Sequence, residues 1–463
     1  MKRLGSMALS LALLVGLTGV LSAQDGNVSA EDGNTSVEID GSVMTKVFRR
    51  DNNINTILDD SNETRGSGML YHYTLGVNAH VGERVTGRIE IENPLLTTDG
   101  EDAIEDATIG DQENSGDNAQ ISEAYIQADR FLAEPLSLKI GIQDYETDLR
   151  GDGNPFFLDL RDSESINDER NTIQENVGSG DYDGTAQNYD AGGVKLTTDV
   201  GKAGALDLFW FTVEENDIED TDDEHILGGV FNGNLADTGS YQVVGTAFRD
   251  TAVGGAHQTV WTVGGGVEYD VTSAANVYGE AYVQGGERDS NSDQGTSLAV
   301  DLGVAGEAGM FFYDVSGTHV SGDDGDDTSS DEDNEDFVSY EDNDDTMILE
   351  SNVLGLDVDS NYQKLQVSGG IDGTVVKKDD LSVELLAAWA QNETTVKGPG
   401  GSDLDDSLGI ETDLTVTWTH SESLDFQVGL ARVWGGDFWA DDNGYDTNSD
   451  GLDLYTFTAG LNF

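Results

Sequence analysis

The stretch Leu452-Asp453-Leu454-Tyr455-Thr456-Phe457-Thr458-Ala459-Gly460-Leu461-Asn462-Phe463 decides the fold. Read in steps of two, Tyr455, Phe457, Ala459, Leu461 and Phe463 share one face, and Thr456, Thr458, Gly460 and Asn462 share the other. Successive side chains of a strand point to opposite sides, so this is a strand with one apolar and one polar face. It ends on an aromatic residue. An end strand carries a row of unpaired N–H and C=O groups, and a barrel removes that edge by pairing its last strand with its first. Tyr455, Phe457, Leu461 and Phe463 therefore read as a closing strand and as an assembly signal for barrel-insertion machinery.

The same alternation recurs along the whole chain. Val37, Ile39, Val43 and Val47 alternate with Glu38, Asp40, Ser42 and Lys46; Ile410, Leu414, Val416 and Trp418 alternate with Glu411, Asp413, Thr415 and Thr417. Eighteen such segments can be placed between Ser36 and Phe463, although Glu224–Asn232 and Ser240–Arg249 have mixed faces. Short connections such as 82–84 and 420–423 alternate with long ones such as 146–186 and 321–363, the long ones holding most of the acid and reading as solvated. The expected fold is an all-β, up-and-down antiparallel transmembrane barrel of about 18 strands with short periplasmic turns and long acidic outer loops. Aromatic girdles are expected at both water interfaces, Tyr71, Tyr73, Tyr455 and Phe457 near the outer rim and Tyr269, Trp418 and Phe463 near the inner one.

Lys2 and Arg3 followed by the apolar run Met7–Leu21 and then Ser22-Ala23 read as a signal peptide over residues 1–23. A short segment, 24–35, would lead into a barrel over 36–463. The run is too short for a spanning helix, and no other apolar stretch approaches it.

The chain carries 22 basic residues against 91 acidic ones, a formal charge of −69. That field repels nucleic acid and anionic polymers and attracts counter-ions. Carboxylates also keep a surface hydrated in a saline habitat. The expected partners are outer-membrane lipid, the assembly machinery, small ions and solutes, and a second copy of the chain in a homo-oligomer. No cysteine is present to form a disulfide.

Strand parity assigns Glu38, Asp40, Glu90, Glu92, Glu123, Asp207, Glu268, Glu280, Asp301, Asp314, Asp372, Glu384, Glu411, Asp413 and Asp425 to the pore lining, with Lys46, Arg88, Lys139, Lys195 and Lys364 among them. Isolated buried charge is prohibitively costly, so these positions imply a water-filled interior of negative potential that favours cations. Asp446-Thr447-Asn448-Ser449-Asp450-Gly451 matches the opening of a calcium loop, so Asp446, Asn448 and Asp450 are a weak Ca²⁺ candidate on the outer side. Phe457 stands where the twelfth-position Glu belongs, and no cofactor is required. Catalysis finds no H-E-x-x-H helix and no G-x-S-x-G elbow, and the six histidines are scattered. Gly264-Gly265-Gly266 has no following helix and marks a bend or a crowded spot.

Gly409-Ile410-Glu411-Thr412-Asp413-Leu414, Leu424-Asp425-Phe426 and Gly435-Gly436-Asp437-Phe438 resemble the closing strands of the alginate export family. Glu123-Ala124-Tyr125, Pro135-Leu136 and Gly141-Ile142-Gln143-Asp144 are similar to a segment of that family and of other porins. The resemblance implies an eighteen-stranded passive diffusion channel. Alginate itself is a polyanion, and Arg88, Lys139 and Lys195 are too few among the carboxylates to conduct it. The reading is therefore a cation-preferring porin for small hydrophilic solutes. Its rivals are a polysaccharide exporter, a surface enzyme built on a barrel, and a secreted acidic calcium-binding or adhesive β protein.

Overall fold

The computed structural model describes residues 35–52, 65–92, 120–143, 145, 192–214, 224–236, 238–250, 258–287, 293–322, 337, 346–350, 361–376, 379–394, 406–421, 423–435 and 451–463. Strands β1–β6 are Thr35–Asn52, Arg65–Val81, Val85–Glu92, Gln120–Ala128, Leu136–Ile142 and Gly192–Asp199. Strands β7–β12 are Gly204–Glu214, Glu224–Asn234, Gly239–Asp250, Gln258–Thr272, Ala275–Glu287 and Asp293–Ala308. Strands β13–β18 are Phe311–Val320, Tyr362–Val376, Asp379–Asn392, Ser407–Ser421, Leu424–Gly435 and Leu452–Asn462. Each pairs antiparallel with its neighbours in sequence, and β18 pairs with β1, so the 18-stranded sheet closes.

Closure ends on a reciprocal pair. The Gly41 N–H donates to the Phe463 carbonyl and the Phe463 N–H to the Gly41 carbonyl, both at 3.0 Å. A Cβ at Gly41 would lie 2.9 Å from the Phe463 ring and 2.5 Å from the Thr74 carbonyl oxygen. The terminal ring thus rests on bare backbone that only glycine provides.

The two faces of the sheet differ in kind. Ile39, Val77, Ile89, Ile126, Ile140, Leu208, Val263, Leu302, Leu365, Leu385 and Ile410 are exposed on the outside, strand after strand. So large an apolar surface has lipid as its solvent. Trp210, Trp261, Trp389 and Trp434 stand near the long-loop ends of their strands, and Tyr269, Tyr313, Trp418 and Phe463 near the opposite ends, all exposed. Tyr455 joins the outer belt. Tyr73 and Phe457 sit halfway along their strands rather than at the rim, Phe457 stacking at 6.3 Å on Phe426. The side chain of Tyr71 lies outside the described residues.

The strand ends joined by the short connections 82–84, 129–135, 200–203, 235–238, 273–274, 309–310, 377–378 and 422–423 share one end of the barrel. At the other end the strict sorting by length fails once. The link 288–292 is shorter than the turn 129–135, because β11 and β12 both extend beyond their expected ends.

Replacing Gly41 by Val puts methyl groups where the Phe463 ring lies. The heat-modifiable fraction on semi-native gels should fall, as it should on deleting Phe463. Unchanged migration of both variants would rule out this closure.

Candidate functional site

Side chains alternating with the lipid-facing set point into the barrel. Every acidic and basic position assigned above to the lining whose side chain is described falls on this interior face; the side chain of Glu92 lies outside the described residues.

On β1–β6 the interior carries a charge lattice. Arg88 donates to both Asp40 oxygens at 2.9 and 3.1 Å and also pairs with Glu90 and Glu123. Asn78 donates to Asp40 at 2.6 Å and Ser122 to Glu90 at 3.3 Å. Lys139 approaches Glu123 at 3.6 Å while its ammonium lies 3.7 Å above the Tyr125 ring. Gly76 makes room: a Cβ there would meet the Asp40 carboxylate and the Arg88 guanidinium. Lys195 sits 4.8 Å above the Tyr145 ring, whose hydroxyl donates to Asp207 at 3.4 Å. His80 approaches the exposed Glu38 carboxylate at 3.9 Å.

On β10–β13 the interior is acid and hydroxyl. Tyr278 donates to Asp314 at 2.9 Å, Tyr282 to Glu280 at 3.0 Å, Thr318 to Asp301 at 2.8 Å and Asn276 to Glu268 at 2.7 Å. These carboxylates are held by donors, so burial does not leave them unsatisfied.

The outer half of the interior is different again. Phe48, Phe209, Phe211, Ile226, Val230, Val244, Phe248, Val320, Val433, Leu452 and Leu454 form an inward apolar collar. Tyr145, Phe337, Ile348 and Leu349, which belong to no strand, pack into the same cluster. Part of the connection between β13 and β14 therefore lies inside the barrel, against the expectation that this acidic loop is solvated. The acidic runs at 323–327 and 331–333 lie outside the described residues.

Segment 346–350 is hung from the wall by charged groups. The Ile348 and Leu349 N–H groups each donate to one oxygen of Glu411 at 2.8 Å, and the Met347 N–H donates to Asp413 at 3.1 Å. Glu411 has no exposed surface. Glu350 closes the turn by accepting from the Thr346 N–H at 3.1 Å, and its carboxylate pairs with Lys364 at 2.6 Å, both side chains buried. Met347 fits over Gly429 of β17, where a Cβ would collide with its terminal methyl. Two interior carboxylates are thus stabilised by backbone N–H groups, not by the lumen water that alternation alone implied. Glu384 and Asp425 lie on the interior faces of the strands flanking β16, Asp425 at the short-turn end of its strand, and Lys46 and Asp372 lie on the interior faces of β1 and β14.

Sequence reasoning missed the collar and the docked segment. A period-two signal in β7–β9 that is apolar on both faces could have betrayed the collar. The backbone donors of 347–349 leave no such trace. The calcium candidate Asp446, Asn448 and Asp450 lies outside the described residues.

No family model matches the chain, and no curated protein matches it, so the likeness to the alginate export family is not carried further. Solved structures do match. Pseudomonas aeruginosa OccK9 (OpdG) aligns with TM-score 0.53 at 11% identity over 92% of this chain and 98% of that one. Acinetobacter baumannii OccAB2 aligns with TM-score 0.51 at 11% identity over 92% and 98%. The outer membrane protein OprD from Pseudomonas aeruginosa aligns with TM-score 0.51 at 11% identity over 92% and 94%. At such identity the likeness establishes the fold, a closed eighteen-stranded barrel of the outer-membrane type.

Removing one partner of a buried ion pair strands the other charge, at a cost of about 3–5 kcal/mol. Lys364→Met or Glu350→Gln should each lower the thermal midpoint of the barrel in detergent. Lys364→Met combined with Glu350→Leu should recover most of the loss, and a double variant as unstable as the worse single one would refute the assignment.

Proposed function

We propose that this protein is a porin-type channel of the bacterial outer membrane that passes small hydrophilic solutes, prefers cations, and is narrowed from within by segment 346–350. The observation that carries this reading is the segment suspended from Glu411 and Asp413 inside a closed barrel. Its apolar exterior and charged interior require lipid on one side and polar contents on the other. Acidic positions outnumber basic ones on the interior face, and the Arg88 lattice neutralises only one sector of the wall. The net field in the lumen is then negative, which concentrates cations and excludes anions. A polyanionic polymer finds no continuous basic path among the described residues, which disfavours polysaccharide export. Nor do the described residues bring a nucleophile, base and orienting group together, which disfavours an enzyme.

Planar-bilayer recording tests the reading. Discrete steps with a cation-selective reversal potential in a salt gradient are expected. Glu411→Gln with Asp413→Asn weakens the acceptors of three N–H groups, and Gly429→Leu displaces Met347, so each should raise single-channel conductance several-fold. Anion selectivity, or conductance unchanged in both variants, would overturn it.

A further inference from the structure

The lipid-facing surface carries an unexpected set of charges. Among the strand residues whose side chains are described, lysine appears only on the interior face, at Lys46, Lys139, Lys195 and Lys364. The outward cations among them are all arginine, at Arg49 of β1, Arg249 of β9 and Arg432 of β17, and all three stand near the long-loop ends of their strands. Two groups result. Arg49 lies opposite Tyr455 in the β1–β18 ladder and Arg432 opposite Asp453 in the β17–β18 ladder, so one strand separates them. The Arg432 guanidinium lies 5.4 Å from the Trp434 ring and 3.4 Å from the Asp453 carboxylate. On the other side of the barrel Arg249 lies opposite His225, whose ring is 5.3 Å from Trp210, and Trp261 stands on the adjoining strand.

We propose that Arg49, Arg249 and Arg432 bind the phosphate groups of outer-leaflet lipid headgroups. This rests on the membrane reading proposed above. The tryptophan belt marks the level where acyl chains give way to headgroups. Arg249 stands two residues outside the row of Trp261, Arg49 is level with Tyr455, and Arg432 stands two residues inside Trp434 on β17, a distance that its long side chain spans. A guanidinium offers a planar fork matched to phosphate oxygens, which the point charge of lysine does not. A chain of formal charge −69 repels an anionic leaflet, so attraction has to come from discrete cations at the rim. Asp453 holds Arg432 against the belt.

The test uses the intact barrel in mixed micelles containing bisphosphorylated lipid A or its dephosphorylated form, with bound lipid counted by native mass spectrometry. Wild type should retain the phosphorylated lipid preferentially, and retention should weaken with salt. The triple variant Arg49→Gln, Arg249→Gln, Arg432→Gln should bind it about tenfold or more weakly. Arg84→Gln with Arg130→Gln, at the short-turn end, should leave it unchanged. No preference for the phosphorylated form, or equal loss in both variants, overturns the proposal. Heat-modifiable migration and channel conductance of the triple variant separate its failure from failure of the membrane reading. If wild type shows neither, the barrel reading falls; if both persist without lipid preference, only the headgroup site falls.

Discussion

Hydrocarbon supplies no hydrogen-bond partners, and each backbone group left unpaired there costs several kcal/mol. An all-β chain can meet that constraint only by closing its sheet. The Gly41–Phe463 pair completes the ladder, and both residues are shaped for it. Glycine gives the ring a place to lie, and the ring covers backbone that would otherwise meet lipid. Closure then dictates the rest, since side chains of alternating parity have lipid or interior as their only choices.

The interior divides by height. Near the short-turn end it is polar, with acids and bases tied into lattices and Glu38 open to solvent. Near the long-loop end it is an apolar collar packed by chain that has folded inward. Glu411 and Asp413 stand where the two regimes meet. Their carboxylates accept from backbone N–H groups that the apolar collar could not satisfy. In the channel proposed above, the same residues would both contribute to the field and position the narrowing segment.

Much of this architecture is legible in the sequence because alternation is a direct imprint of a two-sided environment. All eighteen strands follow from it, usually to within a few residues. The weak segments are weak for a physical reason. In β8 and β9 the lipid-facing Leu227 and Val243 alternate with Ile226, Val230, Val244 and Phe248, which face the inward-folded chain, so both faces are apolar and the period fades. The glycine run 264–266 reads correctly as crowding, for a Cβ at Gly264 would run into the Tyr282 ring. The docking of 346–350 is invisible in sequence because the bonds that hang it from Glu411 and Asp413 run through main-chain donors, which every residue but proline possesses. The solvated appearance of its acidic surroundings conceals it further.

Even and odd residues of β1 see water and lipid respectively, and the absence of native cysteine makes this division directly measurable. Single cysteines placed one at a time at residues 37–40, 42 and 43 would be reacted in proteoliposomes with a charged, membrane-impermeant thiol reagent. Labelling is expected at 38, 40 and 42, with protection at 37, 39 and 43. Uniform labelling, or the opposite phase, would be incompatible with a sheet that has hydrocarbon on one side and an aqueous interior on the other.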